Sequence, residues 1–147
     1  MKDHGPAPAS PSADPRFAEA LGHFNRSEFF EAHEVWESLW HALAVGPVEV
    51  RERPGGDRRF VQGLIQLAVS FEHWRRGNPR GAHGQWDKAL EKLASCESPR
   101  DGIDLAAALR ESAAFYAARD LPSAEAQQRA GTWACPAGEA YPGIRTV

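Results

Sequence analysis

The stretch FFEAHEVWESLW, residues 29–40, sets His33, Glu34 and Glu37 among two Phe and two Trp. Imidazole and carboxylate are ordinary ligands of divalent metals and ordinary partners in acid–base chemistry. On a helix, His33 and Glu37 stand at i and i+4, within reach of each other. Glu37 could therefore orient the imidazole or share a metal with it. The pattern is not HExxH, because Glu37 stands where that motif has its second His. It is not a di-iron ExxH either, because Glu34-x-x-Glu37 ends on a carboxylate and Glu37 and His41 are spaced by four.

A second set lies further on, in RRFVQGLIQLAVSFEHWRRGN. A helix turns about 100° per residue, which gathers Arg59, Gln62, Gln66, Ser70 and His73 on one narrow strip. Apolar side chains cover the rest, as on a central helix. Past Arg59 the strip carries no Lys, Glu, Asp or Arg. Amides and an imidazole on such a helix mark an enclosed polar seam. The economical inference is that the two polar edges meet, with His33 and Glu37 facing Gln62, Gln66 and His73.

Three readings of that seam stay open. In the first, His33, Glu37 and His73 hold a divalent metal, which activates a water for hydrolysis, and Glu34 stands at the rim. In the second, the same three groups act in a metal-free pocket for a small-molecule ligand, with Gln62 and Gln66 as orienting amides. In the third, the seam is a buried hydrogen-bond network that fixes helix register. The protein is then a non-enzymatic module, a homodimer or a partner of another protein. Arg75, Arg76 and Arg80 crowd a helix–helix corner, where they suit either an anion or the dipole of the ending helix. Trp36, Trp40, Trp74 and Trp86 at helical spacing read as core.

These residues need helices to position them, and the sequence supplies an all-α, up-and-down bundle of about five. Residues 1–13, rich in Pro, Ala and Ser, are expected to be a disordered leader. Asp14-Pro15 caps and opens a first helix with Phe17, Leu21 and Phe24 on one face. Ser27 is expected to cap a second helix that runs to about Ala44 and stops at Gly46-Pro47. Its core stripe is Phe29, Ala32, Trp36, Leu39 and Leu43. GPVEVRERPGGD reads as a loop, with a brief strand at VEV as an option. Asp57 caps a third helix over residues 58–76. Gly77 ends it, and Asn78-Pro79 starts a fourth directly, so RGNP is a tight corner between antiparallel neighbours. That fourth helix presents Ala82, Trp86, Ala89, Leu90 and Leu93 on one face. IDLAAALRESAAFYAAR is a fifth helix. The bundle domain spans 14–120, and 121–147 form an arm: a short helix, then an extended tail with Trp133, Tyr141 and Ile144.

Composition narrows the function classes. At 147 residues, 42% hydrophobic and 25% charged, the chain has the makeup of one soluble domain. A net charge of -3 points to neither nucleic acid nor anionic membrane. No apolar run approaches the roughly 18 residues of a membrane span. The N-terminus has no apolar signal region. Cys96 and Cys135 lie far apart with no CxxC, as expected of free thiols in a reducing cytoplasm. There is no nucleophile elbow, phosphate loop or dinucleotide fingerprint.

Taken together, FNRSEFFEAHEVWESLW, RFVQGLIQLAVSFEHWRRGNPRGA and GIDL resemble a small bacterial, archaeal and plastid family catalogued as domain of unknown function 309. The resemblance covers roughly residues 24–109 and implies an all-helical bundle. Members of that family carry the generic label of predicted metal-dependent hydrolase. The family's motif positions fall here on Glu31, His33, Glu34, Glu37, Trp40, Gln62, Gly63, Gln66, His73, Arg76, Gly77 and Asn78, and no polar motif residue is missing. The resemblance thereby adds Trp40, Arg76 and Asn78 to Gln62, Gln66 and Glu34 as binding candidates.

Overall fold

The structure, a computed structural model, describes residues 7–132 and 141–147. Those residues are all-helical: α1 (Pro15–Asn25), α2 (Phe29–Ala42), α3 (Val48–Arg51), α4 (Asp57–Arg75), α5 (Pro79–Leu93), α6 (Leu105–Ala117) and α7 (Leu121–Arg129). Seven helices thus stand where about five were expected. Beyond the five, α7 falls where the short helix of the arm was expected, and α3 is the unforeseen piece. VEV, the optional strand, is helical in α3, where Pro47 accepts backbone bonds from Val50 and Arg51. A lone strand would have left those groups without a ladder partner.

The helix starts follow from their caps. Asp14 accepts from the backbone of Arg16, with Pro15 opening α1. Arg16 grips the same carboxylate at 2.8 Å, and its guanidinium holds Asp14 below the usual carboxylate range. Arg16 also donates to Ser38 Oγ at 2.9 Å, which ties the start of α1 to the end of α2. Asn78 accepts from Gly81 N at 3.0 Å at the start of α5, and Gly77 before it takes φ 79°, as expected at the corner. Ser27 is not the cap expected for α2. It sits at φ 62°, and Glu28 precedes the first turn. Helix α2 also ends two residues early, at Ala42. Asp57 is the first residue of α4 rather than its cap, and its carboxylate accepts from Arg100 at 2.7 Å.

Side-chain pairs set the topology. Trp40 late in α2 lies under Arg58 early in α4, with the guanidinium 3.6 Å from the ring centre. Gly63 early in α4 lies against Leu93 at the end of α5, and His73 late in α4 lies against Gly81 early in α5. Successive long helices therefore run antiparallel. Phe71 is the hub of the core, with ring centres of Phe24, Phe29, Phe115, Tyr116 and Tyr141 all 5.3–6.0 Å away. These rings meet edge-on, tilted or stacked, arrangements that favour their quadrupoles. The predicted stripe of α2 is buried in full. On α5, Leu90 departs from its expected face and is exposed.

The termini pack more than composition suggested. The leader, expected to be disordered through Ala13, forms a 3-10 turn at Pro11–Ala13, and Ser12 donates to Asp101. Residues 1–6 lie outside the described residues. At the other end, Ile144 is buried and exchanges two hydrogen bonds with Asn25, and Arg145 O accepts from Asp104 N. The segment 141–147 is thus laid on the bundle. The expectations for Trp133 and Cys135 lie outside the described residues.

Candidate functional site

The antiparallel packing of α2 and α4 brings the start of one helix to the end of the other. Phe29, Phe30 and His33 from α2, with Val69, Glu72 and His73 from α4 and Arg76 just beyond it, line a cavity of about 200 Å³. His33 and His73 therefore both line one cavity. Phe29 is fully buried at its floor, while Phe30 is exposed.

Each imidazole is held by its own helix neighbourhood. His33 Nε2 lies 3.0 Å from Glu37 Oε2, one turn on. His73 Nδ1 lies 3.2 Å from Asn78 Nδ2. The amide of Asn78 is oriented by its other end, because Oδ1 accepts from Gly81 N. Its NH₂ must then face His73 and donate to Nδ1. The remaining ring nitrogen, Nε2, carries the proton of the neutral tautomer and is a donor.

Glu72 was not among the sequence candidates. It is the most buried carboxylate at the site. Arg75 holds Oε1, and Arg76 Nε donates to Oε2 at 2.6 Å. The signal was available in the spacing. Arg75 and Arg76 follow Glu72 at i+3 and i+4, where a carboxylate and two guanidiniums meet on one turn. This pairing also explains two members of the arginine cluster. The third, Arg80, is paired with Glu125 of α7 at 3.0 Å.

Other sequence candidates fall elsewhere. Glu37 is about half exposed and pairs back along α2 to His33 rather than across to α4. Glu34 faces solvent. Gln62 and Gln66 are half-buried but do not line the cavity. Gln66 Oε1 is buried without a hydrogen-bond partner among the described residues. Ser70 is fully buried and donates to Leu67 O of its own helix. The strip on α4 is thus not a network bonded to α2, which corrects the expectation that Gln62 and Gln66 would orient the site. Trp40 is covered by Arg58 and stands clear of the cavity.

The metal expectation fails the same geometric test. Among the described residues, no three His, Cys, Asp or Glu side chains converge closely enough to hold a metal ion. The set His33, Glu37 and His73 is not assembled. A step of four residues advances about 400°, which turns Glu37 some 40° further round α2 than His33, toward solvent. Glu72, the carboxylate nearest in place, has both oxygens engaged by arginines.

Comparison with known proteins agrees with the sequence motifs. Residues 17–85 match the family described as domain of unknown function, DUF309. That span contains both imidazoles, Glu72 and Arg76, hence every residue lining the cavity. An uncharacterized protein of Aquifex aeolicus (strain VF5) is 26% identical over 87 residues, which are 59% of this chain. The match spans about a quarter, 23%, of the length of that relative. No solved structure matches. No described helix is long and apolar enough to cross a membrane.

Proposed function

We propose that the cavity between α2 and α4 is a binding site for a small molecule, and that the domain is a helical ligand-binding module. The carrying observation is that His33 and His73, from different helices, line one cavity beside Phe29, Phe30 and Val69. Apolar walls with a few fixed polar groups are the usual makeup of a ligand site. A structural network would consume its polar groups in bonds between helices. Among the described residues, His73 bonds only Asn78, and His33 pairs only within α2. Metal-dependent hydrolysis, the activity implied by the family label, lacks a ligand set among the described residues. His33 with Glu37 is an imidazole–carboxylate pair beside the cavity, so acid–base work on a bound ligand is compatible with the site.

The test is to fill the cavity. Val69→Trp places an indole where the lining is half-buried. Small aromatic fragments are expected to shift the ring resonances of His33 and His73 saturably in the parent and not in the variant. Helix content measured by circular dichroism should be unchanged. Fragments that leave both rings unmoved in the parent, or that bind the variant equally well, would sink the reading.

A further inference from the structure

We infer that the ligand is a small monocarboxylate on an apolar body, held by Arg76 and the Nε2–H of His73. This rests on the cavity being a ligand site, and it deepens that reading by naming the class. Three observations converge. The orientation of Asn78, fixed by its bond from Gly81 N, leaves His73 with a donor nitrogen that no described residue engages. Arg76 is anchored through Nε to Glu72, and its two terminal nitrogens have no partner among the described residues. Its guanidinium lies 5.9 Å from the ring centre of Phe30, on the cavity wall. One guanidinium edge and one imidazole N–H thus belong to two residues that line the same cavity, and the lining carboxylate, Glu72, is already engaged by arginines.

The charge count selects the ligand. Glu72 carries one negative charge, and Arg75 and Arg76 carry two positive charges. That cluster is left one charge positive, which suits a monoanion; a phosphate dianion would face the Glu72 carboxylate with less compensation. Glu37 is paired with His33 and is not among the residues that line the cavity. Below the donors, Phe29, Phe30 and Val69 offer apolar surface for the ligand's body. A guanidinium fork is suited to carboxylate, and an amide of the same shape would forfeit the charge-assisted bonds.

Benzoate and benzamide separate the possibilities, since they share shape and differ in charge. Each is titrated into the full chain while the imidazole resonances of His33 and His73 are followed. Benzoate is expected to saturate in roughly the millimolar range suited to about nine non-hydrogen atoms, with benzamide about tenfold weaker or more. Arg76→Gln is expected to abolish that preference while leaving benzamide unchanged. Arg76 is largely exposed, so the variant should fold, and its melting curve checks this. Equal binding of the two probes, or benzoate binding indifferent to Arg76→Gln, overturns the carboxylate assignment and leaves the cavity reading intact. If neither probe moves either imidazole, both readings fail together.

Discussion

Two flanks of α4 are built differently. Against α5 the surface is closed. A Cβ added at Gly63 would lie 2.6 Å from Leu93 Cδ2, and Ala82, Ala89 and Leu93 on the facing helix are fully buried. Against the start of α2 the same helix leaves a cavity of about 200 Å³ lined by two imidazoles and a guanidinium. Small residues let helix backbones approach until side chains interlock, and nothing but their own contacts is left to them. Bulky and charged residues at the other edge hold the helices apart and keep polar atoms available. The first flank fixes the bundle, and the second is where the bundle can act on something else.

The closed flank should yield the largest loss. Gly63→Val would drive a branched side chain into Leu93 Cγ and Cδ2, and Leu93 is fully buried, so it can yield only by displacing core neighbours. Overpacking of this kind costs roughly 1–3 kcal/mol. Urea unfolding should show the midpoint falling by that amount. A variant as stable as the parent would show that α5 slides freely and that the two flanks do not differ as argued.

A middle case sharpens the contrast, because it too is polar. Asp14 and Arg16 form a pair that is mostly buried and bonded onward to Ser38, so it belongs to the frame. Asp14 also caps α1, and losing such a cap costs about 1 kcal/mol. The hydrogen bond from the Arg16 side chain is the main cause that lowers the carboxyl in the folded chain below its unfolded value of 3.8. The sign follows from that direction. The contribution is present in full above the unfolded value and is lost as pH falls through the folded one. Asp14→Ala should therefore lower stability near neutral pH and converge with the parent in acid. A constant gap across that range would remove Asp14 as the source.

The frame was more legible than the site. Asp14-Pro15, Gly77 and Asn78-Pro79 announce their elements because each solves a local backbone problem, and local problems are written locally. Ser27 misled, since its residue type suits a cap but its backbone takes a left-handed conformation before α2 begins. At the site, helical spacing picked out His33 and His73, which line one cavity. The same strip held Gln66, seven residues before His73 and about 10 Å along the axis, too far to share a cavity at one end of α4. Glu72 was hidden for the opposite reason. It reads as a solvent charge in FEHWRR; its spacing to Arg75 and Arg76 hints at the pairing, and only the packing shows that the carboxylate is buried.

The smallest expected effect is the one that bears most on function. His33 and Glu37 form a side-chain pair, 27% and 48% exposed, set at i and i+4 on one helix. Pairs of that kind contribute about 0.3–0.5 kcal/mol in helices. His33→Ala should therefore change unfolding free energy by no more than about 0.5 kcal/mol, a fraction of the Gly63→Val loss. A residue that can be removed so cheaply is not retained by the fold for stability. A measured loss of about 2 kcal/mol or more would instead place His33 in a buried network, on the scale of an uncompensated polar group. The open edge of α4 would then be structural in the same sense as its closed flank.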